Sequence, residues 1–191
     1  MRKNQVILIY GAPAVGKYTM AKRLSSVQGF LLDNHYFHDM FKGLIEVLGD
    51  QKKEYFDEVG ALKESFLDII TRFYPKKEFV RYIFTSCIAE WEEENILKFQ
   101  KFALSLDADF IPIELKADTD ILKKRCQTEY RKWRKKISDP ETLESVIKEA
   151  FYASAPFEHE NKLLINTTSL SEDETFEKIE NHLKKFSGNM K

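Results

Sequence analysis

Apolar and polar positions follow two different periods along this chain. Val6-Ile7-Leu8-Ile9-Tyr10 is an unbroken apolar run, which predicts a strand buried on both faces. Met20, Ala21, Leu24 and Val27 then recur at helical spacing from Lys17, and Gly29 can end that helix. Phe30-Leu31-Leu32 predicts a second strand ending at Asp33. From Tyr36 to Phe73 the period is mostly helical. Phe41, Leu44, Ile45 and Leu48 form one stripe, and Ala61, Leu62, Ser65, Phe66, Ile69, Ile70 and Phe73 another. Gly49-Asp50 and Gly60 punctuate them, and Pro75 stops the second. Residues 79–85 read as a central strand and 91–106 as a helix. Residues 110–115 read as a strand in which Pro112 predicts an edge position or the strand's start. One basic helix is expected from Ile121 to about Trp133. Ser138-Asp139-Pro140-Glu141 opens the next helix, and residues 163–166 form the last strand. Ser171-Glu172-Asp173-Glu174 matches a capping box for a final helix carrying Phe176, Ile179 and Leu183. Five short strands alternating with helices predict an α/β fold with a parallel sheet covered on both faces.

Composition narrows this picture. The 191 residues suit one α/β domain over 1–191, and the 43% hydrophobic and 32% charged content suits a soluble, well-packed chain. A net charge of −1 gives no global attraction to nucleic acid or an acidic membrane. Cys87 and Cys126 form no Cys-x-x-Cys pair, which fits a reduced, cytoplasmic setting. The apolar run after Arg2 and Lys3 is too short for a signal peptide, and no stretch approaches a membrane span. Oligomeric state stays open.

The chemistry begins where the first strand ends. Gly11-Ala12-Pro13-Ala14-Val15-Gly16-Lys17-Tyr18-Thr19 places Gly-x-x-x-x-Gly-Lys between a strand and a helix. Gly11 and Gly16 allow the backbone to turn so that successive N–H groups form an anion nest. The helix that follows presents its positive end to the same spot. Lys17 adds a charge that can reach the β- and γ-phosphates of a nucleotide. The position after the lysine is normally Ser or Thr, whose hydroxyl ligates Mg²⁺. Here it is Tyr18, whose oxygen sits far out on a ring. Thr19 is therefore expected on the α-phosphate, with Mg²⁺ held by phosphates, water and Asp33.

These residues, with Asn34-His35 after the second strand and Asn166-Thr167-Thr168 after the last, resemble the P-loop small-molecule kinases of the shikimate and gluconate kinase type. Chloramphenicol phosphotransferase and zeta toxins are more distant relatives. The likeness is strongest to a kinase-like group that opens with Gly-x-Pro-Ala-Val-Gly-Lys-x-Thr. The resemblance implies a P-loop NTPase three-layer α/β/α fold with a five-stranded parallel sheet of order 2-3-1-4-5. It also implies ATP and Mg²⁺ as cofactors, a helical insert over the acceptor at about 36–75, and a basic lid at about 123–140.

In such kinases an aspartate at the place of Asp33 contacts the acceptor hydroxyl or the metal. Asp33 also ends a strand at the carboxyl edge of the sheet, where ligands of open α/β folds bind, although a turn or N-cap role would suit it too. The resemblance places Arg125 on the nucleotide, as a lid arginine, and Thr167 and Thr168 near its base. Arg131 is a further lid arginine, and Asn34, His35 and Arg134 are expected on the acceptor. His35 and His38 beside Asp39 could also be structural histidines or, less simply, metal ligands.

Residues 123–136 hold eight basic residues in fourteen, with Tyr130 and Trp133 among them. A solvated helix face, a nucleic-acid patch and a kinase lid all fit such a run, and the P-loop favours the lid. The expected function is an ATP-dependent kinase acting on a small hydroxylated acceptor, with nucleic acid an unfavoured partner. A nucleotide-binding regulatory protein without transfer, or a nucleic-acid-binding NTPase, is the alternative.

Overall fold

The structure is a computed structural model that describes residues 3–48, 52–73, 79–89, 93–134, 136–150 and 157–186. Its strands are β1 (Gln5–Gly11), β2 (Phe30–Asp33), β3 (Arg81–Ser86), β4 (Asp109–Lys116) and β5 (Leu163–Asn166). Its helices are α1 (Lys17–Gln28), α2 (Asn34–Leu48), α3 (Lys52–Phe73), α4 (Glu93–Ser105), α5 (Thr119–Cys126), α6 (Glu129–Trp133), α7 (Pro140–Ala150) and α8 (Glu172–Lys184). The punctuation expected at Gly49-Asp50 and Pro75, and Trp91 at the start of a helix, lie outside the described residues.

All five strands run parallel in the order β2-β3-β1-β4-β5. The carboxyl ends of the strands therefore share one edge, and Gly11, Asp33, Ser86 and Asn166 all lie there. β1 is central and wholly buried, which accounts for its unbroken apolar run. Ile7 and Ile9 pack with Met20, Leu24, Leu122, Leu143 and Ile179 on one face. Val6, Leu8 and Tyr10 pack with Tyr82, Phe84, Ile96 and Phe102 on the other. Two caps match their expected signals. Asp139 Oδ2 accepts from the Thr142 N–H at 2.7 Å ahead of α7, and Ser171 and Glu174 form a reciprocal capping box on α8.

Two expectations are corrected. Pro112 lies on an interior strand, neither at an edge nor at a start. The Asp109 N–H donates to Asn4 O at 2.8 Å on the β1 side, and Asn161 Nδ2 donates to Phe110 O at 3.1 Å on the other side. Parallel backbone alternates sides residue by residue, so Pro112 faces away from β1. On that side β5 begins only opposite Ile113, so no ladder bond requires a Pro112 N–H. The basic segment is two short helices, not one. Thr128 adopts extended backbone at φ −67° and ψ 143° and restarts the helix, its carbonyl accepting from the Arg131 N–H at 3.0 Å. Helical spacing on both sides of such a break looks continuous in sequence.

Gly11 has φ +139°, and a Cβ on it would collide with the Leu115 carbonyl oxygen. Gly16 has φ +106° with nothing within 4 Å of its Cβ position. Gly11→Ala combines backbone strain with overpacking and should lower unfolding free energy by about 3 kcal/mol or more. Gly16→Ala meets strain alone and should lose about 1–2 kcal/mol. Urea denaturation of the two variants measures the difference, and equal losses would show that the close approach to Leu115 does not matter.

Candidate functional site

The P-loop is built on three positive-φ residues, Gly11 at 139°, Ala14 at 67° and Gly16 at 106°. α1 then starts without a side-chain cap and without an acidic residue in its first turn. Its leading N–H groups and the positive end of its dipole are left for an anion. Lys17 Nζ donates to Gly11 O and Ala12 O at 2.8 Å each and lies 3.2 Å from Cys87 Sγ. The ammonium thus rests on the loop it would share with a phosphate.

Asp33 ends β2 and is 1% exposed. Its Oδ1 accepts a hydrogen bond from the Thr85 hydroxyl, which in turn accepts from the Asn34 N–H at 3.3 Å. Its Oδ2 lies 3.5 Å from His35 Nδ1 and 4.0 Å from Lys136 Nζ, and has no hydrogen-bond partner among the described residues. Burial raises the Asp33 pKa. The His35 ring, the Thr85 hydroxyl and the Lys136 charge outweigh it, so the net shift is below the usual range and the group is a carboxylate at neutral pH. Lys136 is itself buried at 7% side-chain exposure. Burial lowers its pKa, Asp33 pulls it up, and Arg131, Arg134 and Lys17 push it down.

The basic segment is fastened across this edge of the sheet. Arg125 donates to Thr167 Oγ1 at 2.9 Å and to Thr167 O at 2.8 Å. Arg131 donates through Nε and Nη2 to Ile137 O, and Arg134 pairs with Asp39 on α2 at 3.2 Å. Tyr18 stacks on Tyr130 with ring centroids 6.1 Å apart, and Lys136 Nζ lies 4.9 Å from the Tyr18 ring centroid. Burial and a hydrogen bond shared with Tyr18 push the Tyr130 phenol up to about 12.

A cavity of about 480 Å³ runs between these parts. The P-loop from Pro13 through Thr19 lines it, with Asp33, Asn34, His35, Arg125, Arg131 and Thr167. Gly11 and Ala12 lie behind it and supply carbonyls to Lys17. Two expected contacts fall elsewhere. Thr168 Oγ1 accepts from the Asp118 N–H at 2.9 Å and does not line the cavity, because that bond fixes the β4–α5 connection. Arg134 is held by Asp39 beyond the lining. Residues missed in the sequence also line it, chiefly Thr85, Cys87 and Lys136. Thr85 could have been found as a polar residue at a strand's carboxyl end. Lys136 could not be separated from the seven other cations of its run.

A second cavity of about 480 Å³ lies between β2, β3, α2, α3 and α4. It meets the first along Asn34, Thr85, Ser86 and Cys87. His38 lines it, with Nδ1 2.8 Å from the Tyr55 hydroxyl and Nε2 3.3 Å from Asn34 Nδ2. An amide nitrogen can only donate, so Nε2 accepts and the proton sits on Nδ1. Burial first, then Lys63 and His35, lower the His38 pKa to about 4, consistent with that neutral ring.

No known family model and no curated protein sequence matches this chain. Solved structures do match in shape. A candidate kinase from Chloroflexus aurantiacus has a TM-score of 0.63 and 20% identity, over 97% of this chain and 98% of that one. A gluconokinase from Sinorhizobium meliloti has a TM-score of 0.59 and 11% identity, over 100% and 97%. Shikimate kinase from Bacteroides thetaiotaomicron has a TM-score of 0.54 and 14% identity, over 95% and 98%. The chain has the P-loop kinase fold. That fold implies a nucleotide and usually Mg²⁺, and the donor set suits both. The uncapped helix end and positive-φ loop suit phosphates. The unpartnered, buried Asp33 Oδ2 suits a cation or a water bound to one. Tyr18, turned into its stack with Tyr130, takes no part in that set. Among the described residues no helix is long and apolar enough to cross a membrane, and no group of three or more His, Cys, Asp or Glu could hold a metal ion.

The lowered His38 pKa carries a pH signature. The unfolded chain takes up this proton near pH 6.5, whereas the folded chain does so only near 4. Folding stability from this group is therefore lost as pH falls through that window. Thermal melting between pH 7 and 4 should show a shallower loss of Tm for His38→Gln than for the unsubstituted chain. Parallel profiles would mean that His38 does not titrate this way.

Proposed function

We propose that this chain is an ATP-dependent kinase that transfers the γ-phosphate of ATP to the hydroxyl of a small acceptor. The observation that carries this reading is the meeting of two cavities beside Asp33 and Lys17. One is lined by a phosphate-binding loop, and the other is large enough for a small molecule. The fold shared with gluconokinase and shikimate kinase supports the same reaction class.

In this reading the P-loop N–H groups, Lys17, Arg125 and Arg131 hold the nucleotide, with Thr19 near the α-phosphate and Thr167 toward the base. Lys17 leaves the loop carbonyls for the phosphates. The acceptor hydroxyl hydrogen-bonds to Asp33 Oδ2, the oxygen that Thr85 does not engage. Its oxygen forms the new bond to the γ-phosphorus while the bond from that phosphorus to the β–γ bridging oxygen breaks. ADP departs with that electron pair, and the acceptor proton passes to Asp33. A carboxylate with a lowered pKa is a weak base, which suits a loose transition state in which the hydroxyl proton leaves late. Mg²⁺, which would supply charge neutralisation on the phosphates, would be held by the phosphates and by water, reaching Asp33 through such a water. Asn34 and His35 border the acceptor, and α2 and α3 form its cover.

The basic segment supports a lid more than a nucleic-acid surface. Lys123 pairs with Glu144, Lys132 with Glu129 and Arg134 with Asp39, while Arg125 and Arg131 are held by backbone oxygens. A second reading, nucleotide binding without transfer, is favoured by one observation: Tyr18 offers no metal ligand while it is stacked on Tyr130.

The test measures ADP production from ATP and Mg²⁺ across a panel of alcohols, with ATP affinity measured separately. Lys17→Ala should weaken ATP binding and lower turnover at least about 100-fold. Asp33→Asn should lower turnover by about 10²–10⁴-fold with ATP affinity little changed. Turnover in Asp33→Asn equal to that of the unsubstituted chain would remove Asp33 from the chemistry. Tight ATP binding that needs no Mg²⁺ and gives no product with any alcohol would favour the second reading.

A further inference from the structure

We infer that the acceptor is an alcohol with an apolar, ring-bearing body rather than a polyol or sugar acid; this rests on the phosphotransfer reading above. The second cavity has a graded lining. At its inner end lie Asn34, Thr85, Ser86 and Cys87, the residues it shares with the nucleotide cavity. Its walls carry Leu32, Phe37, Val59, Leu67, Phe84 and Phe99, with His38, Lys63 and Asn95 as the polar side chains among them. The rings are fixed by one another: Phe37 meets Phe66 edge-on at 5.6 Å, and Phe84 meets Phe99 at 4.9 Å. Glu64 and Lys98 mark the mouth, half exposed and paired to each other at 2.8 Å.

This lining decides between ligand chemistries. A polyol needs a hydrogen-bond partner for every buried hydroxyl, and phenylalanine and aliphatic walls provide none. A sugar acid needs a cation deep in the pocket, preferably an arginine fork. Among the described lining residues there is no arginine, Lys98 is already paired with Glu64, His38 is neutral, and Lys63, which acts on His38, is the remaining cation. An apolar body loses nothing there and gains burial against three aromatic rings. At about 480 Å³ the space is about three times the ~150 Å³ cavity that holds one benzene ring. Two fused rings with a short hydroxyl arm fit, the hydroxyl lying at the inner end beside Asp33. The transfer is the step written above: the acceptor oxygen gains the phosphorus, ADP leaves, and the proton goes to Asp33.

Gly60 lines this cavity, and a Cβ built on it meets nothing within 4 Å. Gly60→Leu therefore puts a side chain beside the cavity without displacing a neighbour. The probe is 2-(2-naphthyl)ethanol, titrated into the full chain by fluorescence and calorimetry with a non-hydrolysable ATP analogue present. We expect saturable 1:1 binding, weakened at least tenfold by Gly60→Leu and less by Gly60→Ala. Affinity for the ATP analogue and the circular dichroism spectrum should be unchanged. A hundredfold excess of gluconate should not displace the probe. Absent binding, equal binding in Gly60→Leu, or displacement by gluconate would overturn the inference. A parallel assay with ATP separates the two readings. Phosphorylation of gluconate but not of the probe would overturn the inference and leave the kinase reading standing. Probe binding of the expected pattern with no phosphorylated alcohol would support the cavity's preference and overturn the kinase reading.

Discussion

The Leu115 carbonyl passes so close to Gly11 that no Cβ fits between them. This contact ties the end of β1 to β4 at the point where the chain must leave the sheet. It forces the loop to turn over the strand's end, and the left-handed residues Ala14 and Gly16 complete the turn. α1 then starts where its uncapped N–H groups meet the carboxyl edge of the sheet. Lys17, at the first position of that helix, is carried to the carbonyls of Gly11 and Ala12 and to Cys87 on the neighbouring strand's exit. The position of every other group at the site is measured from this turn.

Charge around the turn is unbalanced in a useful direction. Lys17, Arg131 and Arg134 all act on Lys136 electrostatically, and Asp33 is the carboxylate that pulls the other way. Cations gathered around Lys136 in a half-buried space raise the cost of its charge, and a bound anion would relieve that repulsion. His35 and the Thr85 hydroxyl, with a smaller pull from Lys136, keep Asp33 ionised despite its burial.

The fold was legible because its signals are local. An unbroken apolar run means a strand covered twice, and a capping box or an Asp before Pro marks a helix start within four residues. The P-loop was legible for the same reason, since nine consecutive residues carry it. What the sequence hid depends on partners far away in the chain. Pro112 reads as an edge residue until it is seen that β5 starts one residue later on that side. Thr168 looks equivalent to Thr167 until Asp118 claims its hydroxyl. Lys136 is one lysine among eight basic residues, and only the fold brings it to Asp33, 103 positions away. The break at Thr128 matters here, because a straight helix from 121 to 133 could not fold this run back over the P-loop.

Tyr18 takes its meaning from that fold-back. On sequence alone it is a missing metal ligand. In the structure it is a flat ring on the first turn of α1 that stacks against Tyr130 of α6 and lies beneath the ammonium of Lys136. A serine or threonine at this place would offer an oxygen to the cavity and no ring to α6. A tyrosine does the reverse. It gives α6 a contact with α1, and Lys136, over the same ring, lies next to Asp33, whose Oδ2 has no hydrogen-bond partner among the described residues. The glycine-rich loop's helix and the basic segment are therefore coupled through the Tyr18 side chain.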